Sequence, residues 1–246
     1  MDDSLARARD ALASARSIVV LTGAGISAES GIPTFRDAMT GLWEKFRPED
    51  LATPEAFRRD PRTVWAWYAW RRARVAEARP NAGHLALARL EQAVRDRGAS
   101  FLLVTQNVDG LHSVAGSRSL VELHGNIRRV KCFGSGHPAE TWPDEGPVPP
   151  TCARCGSALR PDVVWFGEAL PTAALETAGE AALRCEVFLS IGTSGLVEPA
   201  ASLPFTALAA GAQVIEVNPD ATPLTRQATL VLAGSAGAVL PRLVPA

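Results

Sequence analysis

The stretch that decides the fold is GAGISAESGIPTFR, residues 23–36. It follows the apolar run of residues 17–21, which predicts a buried parallel strand. Gly23, Gly25 and Ala28 have the G-x-G-x-x-G/A spacing of a strand-to-helix turn that binds a dinucleotide. The first glycine permits the tight turn, the second lets the backbone approach a pyrophosphate, and the third small residue lets the helix pack on the strand. A glycine-rich turn without a ligand is the alternative interpretation.

The residues after this loop do not fit an ordinary dehydrogenase. Such an enzyme carries a second strand that ends in an acidic residue about 20 positions further on. Here residues 32–37 are followed by a helix-like segment, residues 40–46. The sequence therefore predicts a dinucleotide-binding protein that is not an ordinary dehydrogenase.

Composition predicts one large globular domain over residues 1–246, with a small insert. The chain is 47% hydrophobic with a net charge of -1, and its basic residues form no patch for nucleic acid. Its first residues lack the apolar core of a signal peptide. Residues 196–217 are too interrupted by Pro, Gly and Glu for a membrane span. We therefore expect a cytoplasmic protein without a nucleic-acid or membrane partner, whose four cysteines are metal ligands or buried thiols.

Strand and helix patterns alternate along the chain, which predicts an α/β protein with a doubly wound, Rossmann-like parallel sheet. Two segments stand outside this alternation: a helical module at residues 32–80 and a small inserted module at residues 125–160. The other predicted elements are helices at 3–16, 81–98 and within 197–210, and strands at 101–104, 187–191, 213–217 and 230–232. Because ligands bind beyond the carboxyl ends of such strands, the polar residues that follow them should converge on one crevice.

Several further blocks accompany the glycine loop. They are TQNVDGLH at residues 105–112, ELHG at 122–125, VWFGE at 164–168, GTS at 192–194 and VNP at 217–219. With these blocks in this order over residues 18–240, the chain resembles the sirtuins, the NAD-dependent protein deacylases. The resemblance implies NAD as the cofactor, acylated protein lysines as substrates, and nicotinamide and O-acyl-ADP-ribose as products.

The resemblance also implies the catalytic residues. His124 corresponds to the general base, a role that suits the near-neutral pKa of histidine. Asn107 and Asp109 would orient the ribose and the nicotinamide amide. Phe35 and Arg36 would belong to a mobile cofactor loop that excludes water, with a packed ring and an exposed cation as the alternative.

The predicted cofactor contacts extend along the strand ends. Besides Phe35, Arg36, Asn107 and Asp109, they comprise Gly23, Ala24, Gly25, Ala28, Gln106, Gly192, Thr193, Ser194, Asn218 and Ala236. Val164, Trp165 and Phe166 would form one edge of a site in which the substrate peptide lies as an added strand. The alternative for these three residues is a place in the core.

The motif Tyr68-x-x-Arg71 is typical of class III sirtuins, which prefer succinyl, malonyl or glutaryl lysine. At helical i, i+3 spacing the two side chains share a face. A guanidinium can bind a carboxylate through two hydrogen bonds, and a phenol adds a hydroxyl donor. The alternative is packing plus a solvated charge.

The metal module departs from the family pattern of two Cys-x-x-Cys pairs around a structural zinc. Cys152 and Cys155 form one pair, but Cys132 is followed at the matching position by Ser135. We expect zinc on Cys132, Cys152 and Cys155. His137, a water or Asp144 could complete the site, or the site could be empty.

Three rival functions remain open from the sequence. A protein mono-ADP-ribosyltransferase would use the same pocket, a general lysine deacetylase would lack the acidic preference, and an NAD-sensing module would need no chemistry. The intact His124 and the Tyr68/Arg71 pair favour a deacylase for acidic acyl groups.

Overall fold

A computed structural model describes residues 2–32, 47–139 and 146–244 of the chain. The predicted helix at residues 40–46 lies outside these ranges, as do Phe35, Arg36 and Asp144. Within the described ranges, no helix has the length and apolar character needed to cross a membrane.

Helices and strands alternate as the sequence predicts. The helices are α1 (Asp2–Ser14), α2 (Ala24–Ala28), α3 (Pro54–Arg59), α4 (Pro61–Glu77), α5 (Ala82–Asp96), α6 (Leu111–Ala115), α7 (Thr172–Arg184), α8 (Leu203–Ala209) and α9 (Ala236–Leu243). The strands are β1 (Ser17–Thr22), β2 (Ser100–Thr105), β3 (Leu120–Glu122), β4 (Gly125–Cys132), β5 (Pro138–Ala139), β6 (Leu159–Val163), β7 (Val187–Ile191), β8 (Gln213–Asn218) and β9 (Leu230–Ala233).

Six of these strands form a parallel sheet in the order β3-β2-β1-β7-β8-β9. The strand order reverses between β1 and β7, where Val20 of β1 lies between Leu103 and Leu189 of its neighbours. The helices that follow these two strands, α2 and α8, pack on opposite faces of the sheet, and doubly wound sheets bind ligands in a crevice at the carboxyl ends of their strands at such a switch point. The predicted fold class is confirmed.

Helices cover both faces of the parallel sheet. Apolar residues of α1, α5 and α9 pack on one face, and those of α7 and α8 pack on the other. The central strands β1 and β7 are almost wholly buried, which explains why they have continuous apolar sequences. A third apolar cluster joins α3 and α4 to β4 and β6, and its largest side chains are Phe57, Trp67, Tyr68 and Trp165.

The inserted residues form a separate antiparallel sheet in the order β5-β4-β6. Gly125 begins β4 with φ +80°, and a Cβ there would lie 2.2 Å from the carbonyl oxygen of Asp162. A glycine is therefore required where the chain leaves the large sheet for the small one.

Some elements differ from the sequence prediction. The predicted helix within 197–210 consists of a 3₁₀ turn, Ala200–Ser202, followed by α8, with Pro204 near the α8 N-terminus. Elements β3, α7 and α9 are among those that were not predicted. Strand β3 has only three residues. Helix α9 contains Pro241. Neither β3 nor α9 therefore carries a clear periodic signal.

Candidate functional site

The crevice is lined by two glycine loops that touch each other. The Gly25 amide donates a hydrogen bond to the Gly192 carbonyl, 2.9 Å away. A Cβ on Gly25 would lie 2.7 Å from Gly192 Cα. The second glycine of the motif is thus required by close approach of backbone to backbone, a cause that the sequence pattern did not indicate.

The third motif position has a different role from the one expected. Ala28 is exposed, as is Ala24, whereas Ile26 and Ser27 are the buried residues of α2. Ile26 and Ser27 therefore make the packing between helix and sheet, and the expected packing role of Ala28 is wrong. Its exposed position leaves it open to a ligand.

Asn107 and Asp109 are held together by Ser27. The Asn107 amide nitrogen donates to the Gly23 carbonyl, 3.0 Å away, and to Ser27 Oγ, 3.1 Å away. Ser27 Oγ in turn donates to Asp109 Oδ2 over 2.7 Å. Because both amide protons of Asn107 are engaged, its orientation is fixed and its Oδ1 is presented as an acceptor.

Ser27 and Arg128 were not predicted from the sequence. Arg128 Nε donates to the Asp109 carbonyl, 3.0 Å away, and its Nη2 donates to the Val75 carbonyl near the end of α4, 3.2 Å away. Arg128 therefore links the loop after β2 to α4. Only the place of Ser27 within the glycine stretch could have indicated it, and nothing local marks Arg128.

His84 and His112 are both buried. The His84 ring accepts a hydrogen bond from the Asn81 amide and completes a capping box at the start of α5. Its other ring nitrogen lies 3.4 Å from Ser27 Oγ. Burial lowers the pKa of His112 to about 3.

His124 follows β3 and is half-buried at the junction of the two sheets. Its Nδ1 lies 2.8 Å from the Gln106 carbonyl oxygen, which can only accept, so Nδ1 carries the proton. Its Nε2 is then the lone-pair nitrogen. Burial lowers the pKa of His124 below its usual 6.5, and the imidazole is neutral at neutral pH.

The loops after β7 and β8 also meet. Asn218 Nδ2 donates to the Thr193 carbonyl, 2.8 Å away, while Thr193 Oγ1 pairs with Ser190 Oγ. The neighbouring Ser194 is exposed. Gln106 and Thr193 line one pocket, so the structure brings these predicted residues to the same place.

Ala236 is the first residue of α9 and is buried beside Gly83, where a Cβ would lie 3.2 Å from the Ala236 backbone. Glu29 fixes this end of α9, because its carboxylate accepts from Ser235 Oγ at 3.0 Å and from the Gly237 amide at 2.7 Å. Glu29 follows the glycine loop directly, so it connects the two segments predicted to hold the dinucleotide.

Tyr68 and Arg71 share one face of α4. The Tyr68 hydroxyl accepts a hydrogen bond from Trp165 Nε1, 2.9 Å away. The Arg71 guanidinium lies over the Trp67 ring at 4.8 Å and over the Tyr68 ring at 5.7 Å. Burial raises the pKa of Tyr68 to about 12, so the phenol keeps its proton at neutral pH.

The segment after β6 is tied to three parts of the chain. The Val164 amide donates to the His124 carbonyl, the Phe166 amide to the Ala52 carbonyl, and the Trp165 amide to Glu168. Trp165 is buried, but the Phe166 side chain is 53% exposed. Core packing therefore describes Trp165 and not Phe166.

The predicted metal ligands lie at one end of the small sheet. Cys132 Sγ, Cys152 Sγ and a ring nitrogen of His137 are within 4.8 Å of one another. Cys155 Sγ lies 3.4 Å from Cys132 Sγ. Hydrogen bonds from Ser135 lower the pKa of Cys132 to about 6. Thiolates and imidazole are the ligands that zinc prefers, so these residues fit a zinc ion.

A parallel sheet with a crevice at its switch point, two touching glycine loops and an inserted thiol module defines a doubly wound dinucleotide-binding protein. The Sir2 family matches residues 23–199. A Sir2 homolog in complex with NAD superimposes on 97% of this chain and 92% of its own, with 48% identity and a TM-score of 0.89. The chain therefore belongs to the Sir2 family.

Relatives over nearly the full length carry one name. An NAD-dependent protein deacylase of Thermus thermophilus is 55% identical over 243 residues, which are 99% of this chain and 95% of the relative. An NAD-dependent protein deacylase of Pseudomonas putida is 48% identical and covers 99% and 94%, respectively.

Proposed function

We propose that this Sir2-family protein removes acyl groups from protein lysines with NAD as the co-substrate. The observation that carries the proposal is the fixed tautomer of His124. Its Nδ1 donates to the Gln106 carbonyl, which leaves Nε2 as a base next to the loop that carries Asn107. The relatives' shared name, NAD-dependent protein deacylase, supports the same reaction.

The residues present fit NAD. The loops of Gly25 and Gly192 meet through backbone atoms, with no room for a side chain between them, and the crevice lies at the switch point where doubly wound sheets bind dinucleotides. When bound, NAD supplies an electrophilic ribose carbon from which nicotinamide leaves. We assign the adenosine half to the loops of Thr193, Ser194, Asn218 and Ala236, and the phosphates to the loop of residues 23–28.

In this proposal His124 Nε2 accepts a proton from a ribose hydroxyl. The base is available at neutral pH because burial holds the pKa of His124 below 6.5. The Gln106 carbonyl also stabilises the imidazolium that forms, since it accepts from Nδ1 in both protonation states. A positioned base of this kind contributes roughly 100-fold to 10,000-fold in rate.

Asn107 would accept a hydrogen bond from the reacting ribose through Oδ1, because both of its amide protons are used within the chain. Asp109 holds Ser27 and the start of α6 through its two carboxylate oxygens. We therefore assign Asn107 to direct contact with the ribose. Asp109 acts in orienting this contact and the nicotinamide amide.

The acyl-lysine peptide would lie along residues 164–168 and the segment after Gly195. Phe166, Leu196 and Val197 expose apolar surface that such a peptide could cover. The amides of Val164 and Phe166 are already bonded within the chain, so the carbonyl groups of this edge would accept from the peptide backbone.

We further propose that the preferred acyl group carries a distal carboxylate. Tyr68 is protonated, and its hydroxyl already accepts from Trp165, so its own proton is left to donate. The Arg71 guanidinium lies over the Tyr68 ring, and Arg128 joins α4 to the carbonyl of Asp109, so α4 borders the catalytic loop. A desolvated cation beside a hydroxyl donor matches a succinyl, malonyl or glutaryl group.

We assign residues 125–160 as an inserted zinc module of this single domain, and we assign residues 32–80 as the module that carries the cofactor loop and α4. The zinc would be structural, because its ligands lie on the small sheet and His124 stands outside it. Thiol ligands persist where thiols stay reduced, which supports a cytoplasmic location.

The test is mass spectrometry of matched succinyl-lysine and acetyl-lysine peptides incubated with the protein and NAD. We expect loss of the succinyl group, appearance of nicotinamide and O-succinyl-ADP-ribose, and slower loss of acetyl. A peptide that keeps its acyl group and gains ADP-ribose on a side chain would support the transferase instead. Equal turnover of both peptides would indicate a general deacetylase, and NAD binding without turnover would indicate a sensor.

A further inference from the structure

The two turns that carry the thiols of the small sheet are built alike, twenty residues apart. In the first, the Gly136 amide donates to the Cys132 carbonyl over 2.9 Å; in the second, the Gly156 amide donates to the Cys152 carbonyl over 2.8 Å. Both glycines are left-handed, with φ +72° and +73°. The turns therefore present equivalent positions to the space between them.

Equivalent positions in the two turns hold different residues. Cys155 in the second turn corresponds to Ser135 in the first, and Ser157 corresponds to His137. The correspondence holds in the backbone, because the Cys132 amide donates to the His137 carbonyl and the Cys152 amide donates to the Ser157 carbonyl. The first turn therefore has its serine before its candidate ligand, and the second turn has its candidate ligand before its serine.

We propose that His137 Nε2 is the fourth ligand of a zinc ion held also by Cys132, Cys152 and Cys155, and that Ser135 orients this histidine. His137 Nε2 already faces Cys152 Sγ at 2.9 Å. His137 lies opposite Cys132 at the end of the β4–β5 ladder, which sets its ring on the side of the thiols.

Ser135 hydrogen-bonds two of the proposed ligands. Its hydroxyl contacts His137 Nδ1 and also bonds the Cys132 thiol group. A hydroxyl can accept from Nδ1–H while donating its own proton to a thiolate. The serine therefore selects the tautomer in which Nε2 holds the lone pair, as the outer partners of zinc-bound histidines do.

Backbone amides stabilise the thiolates in both turns. The Arg154 amide donates to Cys152 Sγ over 3.4 Å, and the Gly134 amide bonds Cys132 at the equivalent position. Zinc requires deprotonated thiols, and these amides compensate part of their charge. A set of three thiolates and one imidazole is a known tetrahedral structural site.

The decisive measurement is X-ray absorption at the zinc edge on the whole protein, reconstituted with zinc under reducing conditions. We expect one nitrogen at about 2.0–2.1 Å and three sulfurs at about 2.3 Å. A shell of sulfur and water oxygen without imidazole scattering would overturn the proposal, as would failure to bind stoichiometric zinc.

Zinc affinities of variants at His137 and Ser135 test whether His137 supplies the fourth ligand. His137→Ala should weaken zinc binding more than Ser135→Ala, for which we expect roughly 10-fold to 100-fold. Ser135→Cys in the His137→Ala background should restore binding with four sulfurs, because it recreates the arrangement of the second turn. Unchanged zinc affinity in His137→Ala would refute the assignment. If that variant fails to fold, the spectrum of the unaltered protein still decides.

Discussion

The two halves of the crevice are built in different ways. The nucleotide half is made by loops at strand ends, and Gly25 contacts Gly192 through backbone atoms alone. The half that we propose for the acyl group is made by side chains, because Tyr68 and Arg71 of α4 pack on Trp165 and Trp67, respectively. A substitution in the first half disturbs the sheet, whereas one in the second can change a side chain and leave the backbone in place. Under the proposed function, the first half is the one that fixes the reaction, and the second is the one that selects the acyl group.

The largest expected effect comes from His124→Ala, which acts on the reaction for every acyl group. Loss of the base should lower turnover about 100-fold or more. NAD affinity should change little, because the histidine is bonded to Gln106 and not to the glycine loops. Steady-state kinetics and NAD titration on the same preparation would measure both effects. Near-normal turnover would show that another group takes the proton.

Arg71→Met should affect the substrate and not the reaction. A succinyl carboxylate would be buried without its cation, at a cost of about 2 to 4 kcal/mol, or roughly 30-fold to 1000-fold in kcat/KM. An acetyl group has no carboxylate, so its turnover should stay the same or improve. Matched succinyl and acetyl peptides at saturating NAD make this comparison.

An equal loss of kcat/KM on both peptides would contradict the proposal that Arg71 recognises the acyl group. Arg71 lies over two aromatic rings, so such a result would mean that the guanidinium supports the packing of α4. Arg74, which lies over the Trp70 ring at 5.6 Å on the same helix, provides the control. Arg74→Met should leave the ratio of succinyl to acetyl turnover unchanged.

The sequence predicted the nucleotide half better than the acyl half. Strand runs and glycine spacing are local, and parallel strands bring their carboxyl ends to one edge, so Gly25, Asn107 and Gly192 could be grouped without a structure. The Tyr68 to Trp165 hydrogen bond joins residues 97 positions apart. The hydrophobic periodicity of α4 and of the segment after β6 does not indicate that these two side chains meet.

The sequence patterns did not identify the residues whose role is to orient other residues of the site. Ser27, Glu29 and Arg128 act through hydrogen bonds to partners on other elements. A serine, a glutamate or an arginine carries no local signal of its distant partner. The exposed Ala28 shows that the packing reason given for a motif position can be wrong. A motif predicts where chemistry occurs more reliably than which contact each position makes.

Tyr68→Phe should have a smaller effect than Arg71→Met on the acidic substrate. It removes one hydroxyl donor to a charged group, which is worth about 1.5 to 3 kcal/mol, or roughly 10-fold to 100-fold. It also leaves Trp165 Nε1 without its acceptor, so thermal unfolding should begin at a lower temperature. If stability falls while the succinyl to acetyl ratio stays constant, the phenol has a structural role only.

The smallest effect is the pH dependence at neutral pH, and it tests the half that all substrates share. Burial lowers the pKa of His124, so the neutral base is already formed at pH 7 and turnover should change little between pH 7 and 8. Turnover should then fall about tenfold per pH unit once pH drops below that lowered pKa, which lies under 6.5.

Acetyl and succinyl peptides should show the same acidic limb of the pH–rate profile, because a succinyl carboxylate titrates at about pH 4. The residual rate of His124→Ala should lack the limb. A midpoint above about 7 in kcat/KM would mean that the imidazole is charged in the resting crevice, and the proposed role of the Gln106 carbonyl in holding a neutral base would be wrong.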